Sequence, residues 1–267
     1  MLEYKNLISQ VLCKGKESPD STGVGILEIL GASAEFNLQK KFPVVTCRQL
    51  PYNQAFGELS AFLKGAMTVE EFQEEGCNFW NLFSDKEGYL GPVCGSQWRV
   101  NHIWPIKNID QLESLVTNLK DNPNSKHHIL SSWHVNLLNS LALPSCYIST
   151  QFFVREGELH QIVTQRSCDL MLGFPSDIIV HALLQYILAQ QCGFKAGKLQ
   201  FNFGSLHIYK PHIMQAIKLE KLPIYENHKF FLDPDATIDN FKAQDAQIEN
   251  YVSGPVLKFE LFKKLCK

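Results

Sequence analysis

No two cysteines in this chain are spaced as a CxxC pair, and no Cys/His set carries zinc spacing. The eight cysteines, Cys13, Cys47, Cys77, Cys94, Cys146, Cys168, Cys192 and Cys266, are scattered. Scattered thiols of this kind are mostly small buried hydrophobes in a reducing compartment, so any cysteine chemistry has to be argued one residue at a time. An excess of positive charge is also missing. Lys and Arg number 25 against 27 Asp and Glu, a net charge of -2, which argues against a general nucleic-acid binder. No apolar run is long enough to span a bilayer; the longest, Ile178 to Leu188, is short and interrupted. The opening Met-Leu-Glu-Tyr-Lys-Asn has neither the basic region nor the apolar stretch of a signal peptide, so a cytoplasmic location away from membranes is expected. There is no repeat, low-complexity stretch or long linker. The expectation is one domain over residues 1–267, and 45% hydrophobic residues give it material for a sizeable core.

What is present has a readable period. Leu7, Ile8, Val11 and Leu12 predict a short N-terminal helix, followed by a polar, turn-rich stretch from Gly15 to Gly25. Phe56, Leu59, Phe62 and Leu63 predict a helix ended by Gly65. Ile109, Leu112, Leu115, Val116 and Leu119 predict another, stopped by Asn122-Pro-Asn-Ser125. Residues 148–154 and 159–164 read as two strands of a hairpin turning at Arg155-Glu-Gly-Glu158. Residues 178–192 are apolar nearly all round, which predicts a central buried helix closed by Gly193. Leu199, Phe201 and Phe203 alternate with polar residues as in a half-buried strand. Strands and helices do not alternate regularly, so the predicted class is mixed α+β, a mixed sheet packed with helices.

Cys146, in Ala142-Leu-Pro-Ser-Cys-Tyr147, stands just before a predicted strand, a common place for a nucleophile. The bland alternative is a buried inert thiol. A reactive thiol needs a cation beside it, and the hairpin can fold Arg166 back beside Cys146. Gln165-Arg-Ser-Cys-Asp-Leu-Met-Leu-Gly-Phe-Pro175 resembles the nucleotide and folate loop of thymidylate synthases, and Leu143-Pro-Ser-Cys146 resembles their nucleophile motif. Glu58 to Gly65, Leu90 to Arg99, Ala189 to Cys192 and Gly204 to Tyr209 resemble further segments of the family, in order, from about residue 2 to about residue 255.

The resemblance implies that fold, with a sheet face forming a homodimer interface, and 5,10-methylenetetrahydrofolate as the one-carbon donor. Cys146 would attack carbon 6 of a pyrimidine nucleotide, making carbon 5 nucleophilic, a case of covalent catalysis. Arg166 would favour the thiolate and Glu58 would serve proton transfers. Gln165, Ser167, His207, Tyr209, Lys126 and His127 are implied nucleotide contacts, with Arg166 and Ser167 on the phosphate and His207 and Tyr209 on the sugar. Leu143, Trp80, Asp169, Leu172 and Gly173 are implied folate contacts, Trp80 by stacking.

Five departures from the family pattern bear on the reaction and its substrate. Asp177 stands where thymidylate synthases have an asparagine. An amide reads uracil by accepting from a ring N–H and donating to the adjacent carbonyl. A carboxyl suits cytosine, and against uracil the mismatch costs on the order of a few kcal/mol. Asp177 therefore resembles the deoxycytidylate and cytidylate hydroxymethylase branch; the alternative is an exposed, irrelevant aspartate. Tyr147 replaces a histidine of the water network around a uracil carbonyl, and Cys94 replaces a tyrosine near the proton-abstraction site. Ser21, Lys126 and His127 replace three arginines of the phosphate site, two of which reach across the dimer; His128 and Arg48 are candidates to add to the set. The bidentate forks are lost. Finally, Phe259-Glu-Leu-Phe-Lys-Lys-Leu-Cys-Lys267 is longer and more basic than the family's apolar lid. A missing lid would admit water and favour a hydroxymethyl product. The leading expectation is thus hydroxymethylation of a cytosine nucleotide. The alternatives are a pyrimidine methyltransferase such as a thymidylate synthase, and a non-catalytic protein that has kept the fold.

Overall fold

A computed structural model describes residues 1–99 and 109–262. Helices α1 (Leu2–Lys14), α2 (Tyr52–Lys64), α3 (Val69–Glu74), α4 (Cys94–Arg99), α5 (Gln111–Asp121), α6 (Gly173–Cys192) and α7 (Ile213–Lys221) accompany strands β1 (Lys16–Ser18), β2 (Ile26–Asn37), β3 (Ile129–Ser131), β4 (Tyr147–Arg155), β5 (Glu158–Asp169), β6 (Lys195–Tyr209), β7 (Lys229–Leu232) and β8 (Ala246–Glu249). The main sheet runs β1-β2-β6-β5-β4-β3, and β7 and β8 form a separate pair. Among the described residues only β5 and β6 are parallel; every other neighbouring pair is antiparallel. This is the mixed α+β arrangement expected from the sequence.

The β4–β5 hairpin forms where expected. Glu156 and Gly157 both take positive φ, 53° and 76°, a conformation glycine adopts without steric cost and one that suits the twist of a two-residue turn. The parallel β5–β6 pair needs a crossover, and α6 provides it. Thirteen of its 20 residues are buried, from Phe174 to Ala189, and Gly193 ends it in the left-handed region at φ 77°. The helix begins at Gly173, five residues before the apolar run. Pro175 is tolerated there because a first-turn N–H has no intrahelical partner. Tyr4 of α1 meets Phe174 of α6 at 6.3 Å between ring centroids, so both helices lie on one face of the sheet. Phe36, Phe174, Phe201 and Phe203 form the aromatic centre of that layer.

Several elements differ from expectation. Strand β2 was not predicted, because Gly31, Ala32, Ser33 and Ala34 lack strand-forming character and much of its length is half-exposed. Strand β1 lies inside the stretch read as turn-rich, and β6 extends well beyond residues 199–203 at both ends. Ile109 is outside α5 and exposed; Asp110 caps that helix by accepting from the Glu113 backbone N–H at 2.9 Å.

Candidate active site

The site gathers where β4 starts, β5 and β6 end and α6 begins. A register irregularity between Tyr147 and Ser149 marks the start of β4, beside Cys146. Such bulges re-aim side chains at sheet rims. Arg166 is pinned here. Its backbone N–H donates to the Cys146 carbonyl at 2.9 Å, its Nε to Ser145 O at 2.9 Å and an Nη to Pro144 O at 2.8 Å. The predicted meeting of Cys146 and Arg166 is therefore present. The charge balance is less simple than a thiolate favoured by arginine. Burial and the Asp177 carboxylate push the Cys146 thiol up to about 11, against the downward pull of Arg166. In the free protein Cys146 is a thiol.

Glu58, on the buried face of α2, accepts from Trp80 Nε1 at 3.0 Å and from Ser176 Oγ at 2.9 Å. Burial, and then the charge of Asp177, raise it to about 7, where a carboxyl can give and take protons near neutrality. Asp177, in the first turns of α6, accepts from the Tyr147 hydroxyl on Oδ1 and from Gln165 Nε2 on Oδ2, both at 2.6 Å. It is no exposed aspartate. Burial raises it to about 6, although both hydrogen bonds act the other way. Cys94, also buried, has its sulfur 3.0 Å from Ser145 Oγ. That hydroxyl in turn donates to Tyr147 O at 2.8 Å and accepts from Tyr147 N at 3.1 Å, which shapes the turn carrying the nucleophile.

Asp169 accepts from the backbone N–H groups of Met171 and Leu172 at 2.8 and 3.3 Å and so caps the approach to α6; burial raises it to about 6. It pairs in register with His207 on β6, as Ser167 does with Ser205. His207 is buried and held neutral, its pKa lowered to about 4 by burial, and its Nδ1 has no partner. Tyr209 stands edge-on to it, centroids 5.3 Å apart.

A cleft of about 490 Å³ opens beside this group. Its walls include Glu58, Phe79, Leu82, Leu172, Ser176 and Phe259. A Cβ placed on Gly173 at its edge would meet nothing within 4 Å. The volume and mostly apolar lining fit a bulky ring system. Trp80 is 6% exposed among Phe62, Phe72, Phe79 and Phe83, with its N–H committed to Glu58. Leu143, in the nucleophile loop, is half-buried against the core.

Other expected members are placed elsewhere in the chain. Lys126 and His127 are exposed on the loop before β3, with Gln151 donating to Lys126 O at 3.0 Å, five residues along β4 from Cys146. His128 is buried, its Nε2 3.1 Å from Asn122 O. Arg48 is buried at the cleft, donating to Met171 O, with its guanidinium 4.6 Å from the Phe259 ring centroid. The expectation of a missing lid needs correction for the part described. Phe259 and Phe262 pack on His212, Phe262 also meets Tyr209 at 5.2 Å, and His212 Nε2 lies 2.9 Å from Glu260 O. Val256, Leu257, Phe259 and Leu261 of this apolar segment line the cleft; the basic end of the tail, residues 263–267 with Cys266, lies outside the described residues.

Sequence reasoning missed Ser145, Ser176 and the bonding of Asp177 to Tyr147 and Gln165. Ser145 and Ser176 offered only their adjacency to Cys146 and Asp177. Among the described residues no group of three or more His, Cys, Asp or Glu could hold a metal ion.

The thymidylate synthase family model matches residues 2–262. A thymidylate synthase from Buchnera aphidicola subsp. Baizongia pistaciae (strain Bp) is 37% identical over 259 residues, covering 96% of this chain and 97% of the relative. With the mixed sheet, the Cys146–Arg166 pair and a match across nearly its whole length, this chain belongs to the thymidylate synthase family, whose one-carbon donor is 5,10-methylenetetrahydrofolate and whose chemistry is transfer to carbon 5 of a pyrimidine nucleotide.

Proposed function

We propose that this chain makes a covalent adduct between Cys146 and carbon 6 of a pyrimidine nucleotide and carries the one-carbon transfer through to a methyl product, as in thymidylate synthesis. The observation that carries the reading is the meeting of Cys146, Arg166, Glu58 and Asp177 beside a cleft lined in part by Val256, Leu257, Phe259 and Leu261 of the C-terminal segment. Arg166 holds positive charge against the nucleophile. Neutralising Asp177, by a proton shared with the ring, removes one of the influences, after burial and alongside Asp169, that keep the Cys146 thiol protonated. Glu58, near neutrality in its proton affinity, handles the proton on carbon 5. The folate supplies the methylene carbon and, for a methyl product, the reducing hydride. Leu172, Gly173, Leu143, Trp80 and Asp169 are the proposed folate contacts, and Gln165, Ser167, His207, Tyr209 and Arg166 the proposed nucleotide contacts. Lys126 and His127 are proposed to serve the phosphate of a second copy in a homodimer. The seven free cysteines of the described residues support a reducing, cytoplasmic setting.

A second reading, hydroxymethylation of CMP or dCMP, is favoured by Asp177, whose carboxyl suits an amino group better than a carbonyl. One experiment separates the two. CMP, dCMP, UMP, dUMP and the free nucleosides are incubated with methylenetetrahydrofolate, and products are read by mass spectrometry. A methyl product with dihydrofolate supports the first reading. A hydroxymethylated cytosine nucleotide with tetrahydrofolate supports the second. Failure to turn over any of them, with no trapped adduct from a fluorinated pyrimidine nucleotide, sinks both.

A further inference from the structure

We infer that Tyr147 determines which pyrimidine ring the site accepts, by holding Asp177 as a charged acceptor; this rests on the second reading above, in which Asp177 faces the edge of a cytosine ring. Tyr147 is 5% exposed. Its ring stands edge-on to His181, centroids 4.6 Å apart at 88°. His181 is itself fully buried, with Nδ1 2.8 Å from Gln161 Nε2. The tyrosine has little room to swing, and its hydroxyl donates to Asp177 Oδ1 at 2.6 Å. Gln165 donates to the other oxygen at the same distance. Tyr147 and Gln165 are direct partners in the β4–β5 ladder, so one cross-strand pair delivers both donors to the first turns of α6.

A carboxyl that accepts on both oxygens is stabilised as the anion. Either ring can pair with it at two adjacent atoms only if one proton lies between them. With uracil that proton has to stay on Asp177 to reach the ring carbonyl. With cytosine it can sit on ring nitrogen 3, a basic atom, and leave the carboxylate charged. Donors that favour the anion therefore favour cytosine. The other groups acting on or beside Asp177 pull in several directions. Glu58 from α2 and Asp169 from β5 add negative charge, while Cys146 ahead of β4 and Cys168 on β5 are neutral thiols. Arg166, on the far side of Cys146, is held on the 144–145 carbonyls. Tyr147 and Gln165 are the two groups that bond the carboxylate directly.

Tyr147→Phe keeps the ring against His181 and deletes the donor. The free protein is titrated by carbon-13 NMR of its carboxyl groups, with the Asp177 signal assigned by its loss in Asp177→Asn. Binding of CMP, dCMP, UMP and dUMP is measured by calorimetry. The titration of Asp177 is expected to move up by about one pH unit, and the ratio of cytosine to uracil affinity to fall about ten-fold. Should the variant fold poorly, 3-fluorotyrosine at position 147, a stronger donor of nearly the same shape, should move both readouts the other way. An unmoved titration overturns the inference. A titration that moves while the affinity ratio stays fixed overturns instead the reading that Asp177 faces the ring. A wild type that prefers uracil nucleotides overturns the cytosine preference assigned to the charged form.

Discussion

Cys146 works against its surroundings until a ligand arrives, since burial and Asp177 hold its proton on. Cys146→Ala should abolish turnover and the adduct with a fluorinated pyrimidine nucleotide while leaving circular dichroism unchanged; substantial activity in that variant would sink the covalent mechanism. Asp177→Asn exchanges an acceptor for a donor-acceptor pair. Relative affinity should move toward uracil nucleotides by roughly ten-fold to a hundred-fold, one mispaired polar contact being worth about 1–3 kcal/mol. Glu58 makes a prediction about stability. Its folded pKa, about 7, lies above its ordinary 4.5, so the folded form binds the proton more tightly than the unfolded form. The stabilising contribution is complete below about pH 4.5 and is lost as pH rises through 7. Glu58→Gln should therefore gain thermal stability relative to the wild type between pH 5 and pH 8, by up to on the order of 2–3 kcal/mol at the upper end. A difference that is flat with pH would refute this. Cys146 and Arg166 were legible because each sits in a motif that resembles the family's, and Asp177 because it departs from the family pattern. The bond from Trp80 to Glu58 and the contact between Cys94 and Ser145 were not, because each joins residues whose proximity only the tertiary fold creates.

At the level of elements, α6 and the β4–β5 hairpin declared themselves through continuous apolarity and a Glu-Gly turn, whereas β2 and β7 carried no comparable period. The packing of α4 on α2 was also invisible in sequence, because it depends on an absent side chain. A Cβ on Gly95 would lie 2.3 Å from the Phe62 Cα, so the two helices can touch only at glycine. Phe62 is one turn along α2 from Glu58. Gly95→Ala should push α2 away, cost about 1–3 kcal/mol by urea denaturation, and lower turnover beyond what the lost stability explains, because Glu58 shifts with its helix. A variant with wild-type stability and rate would show that the contact is slack.

For the whole molecule, the unanswered geometry is that of Lys126 and His127, exposed on a loop away from Cys146. Leu30, Ile129 and Ile148, on β2, β3 and β4, are exposed at 75%, 47% and 38%. Closed pairs are the commonest assembly of soluble chains. Sedimentation at micromolar concentration is expected to give a homodimer; a monomer alone would count against both the pairing and a shared phosphate site. The parallel pairing of β5 with β6 has a kinetic side. It cannot form until the intervening 20-residue α6 has been laid down, and β2 closes on β6 only by joining Ile26 to Tyr209. Contacts between such distant residues are slow to form, since chain closure has to precede any reward. On dilution from urea, helical signal should return well ahead of nucleotide binding, and the interval between them is the time the chain spends with its nucleophile made but its pocket unbuilt.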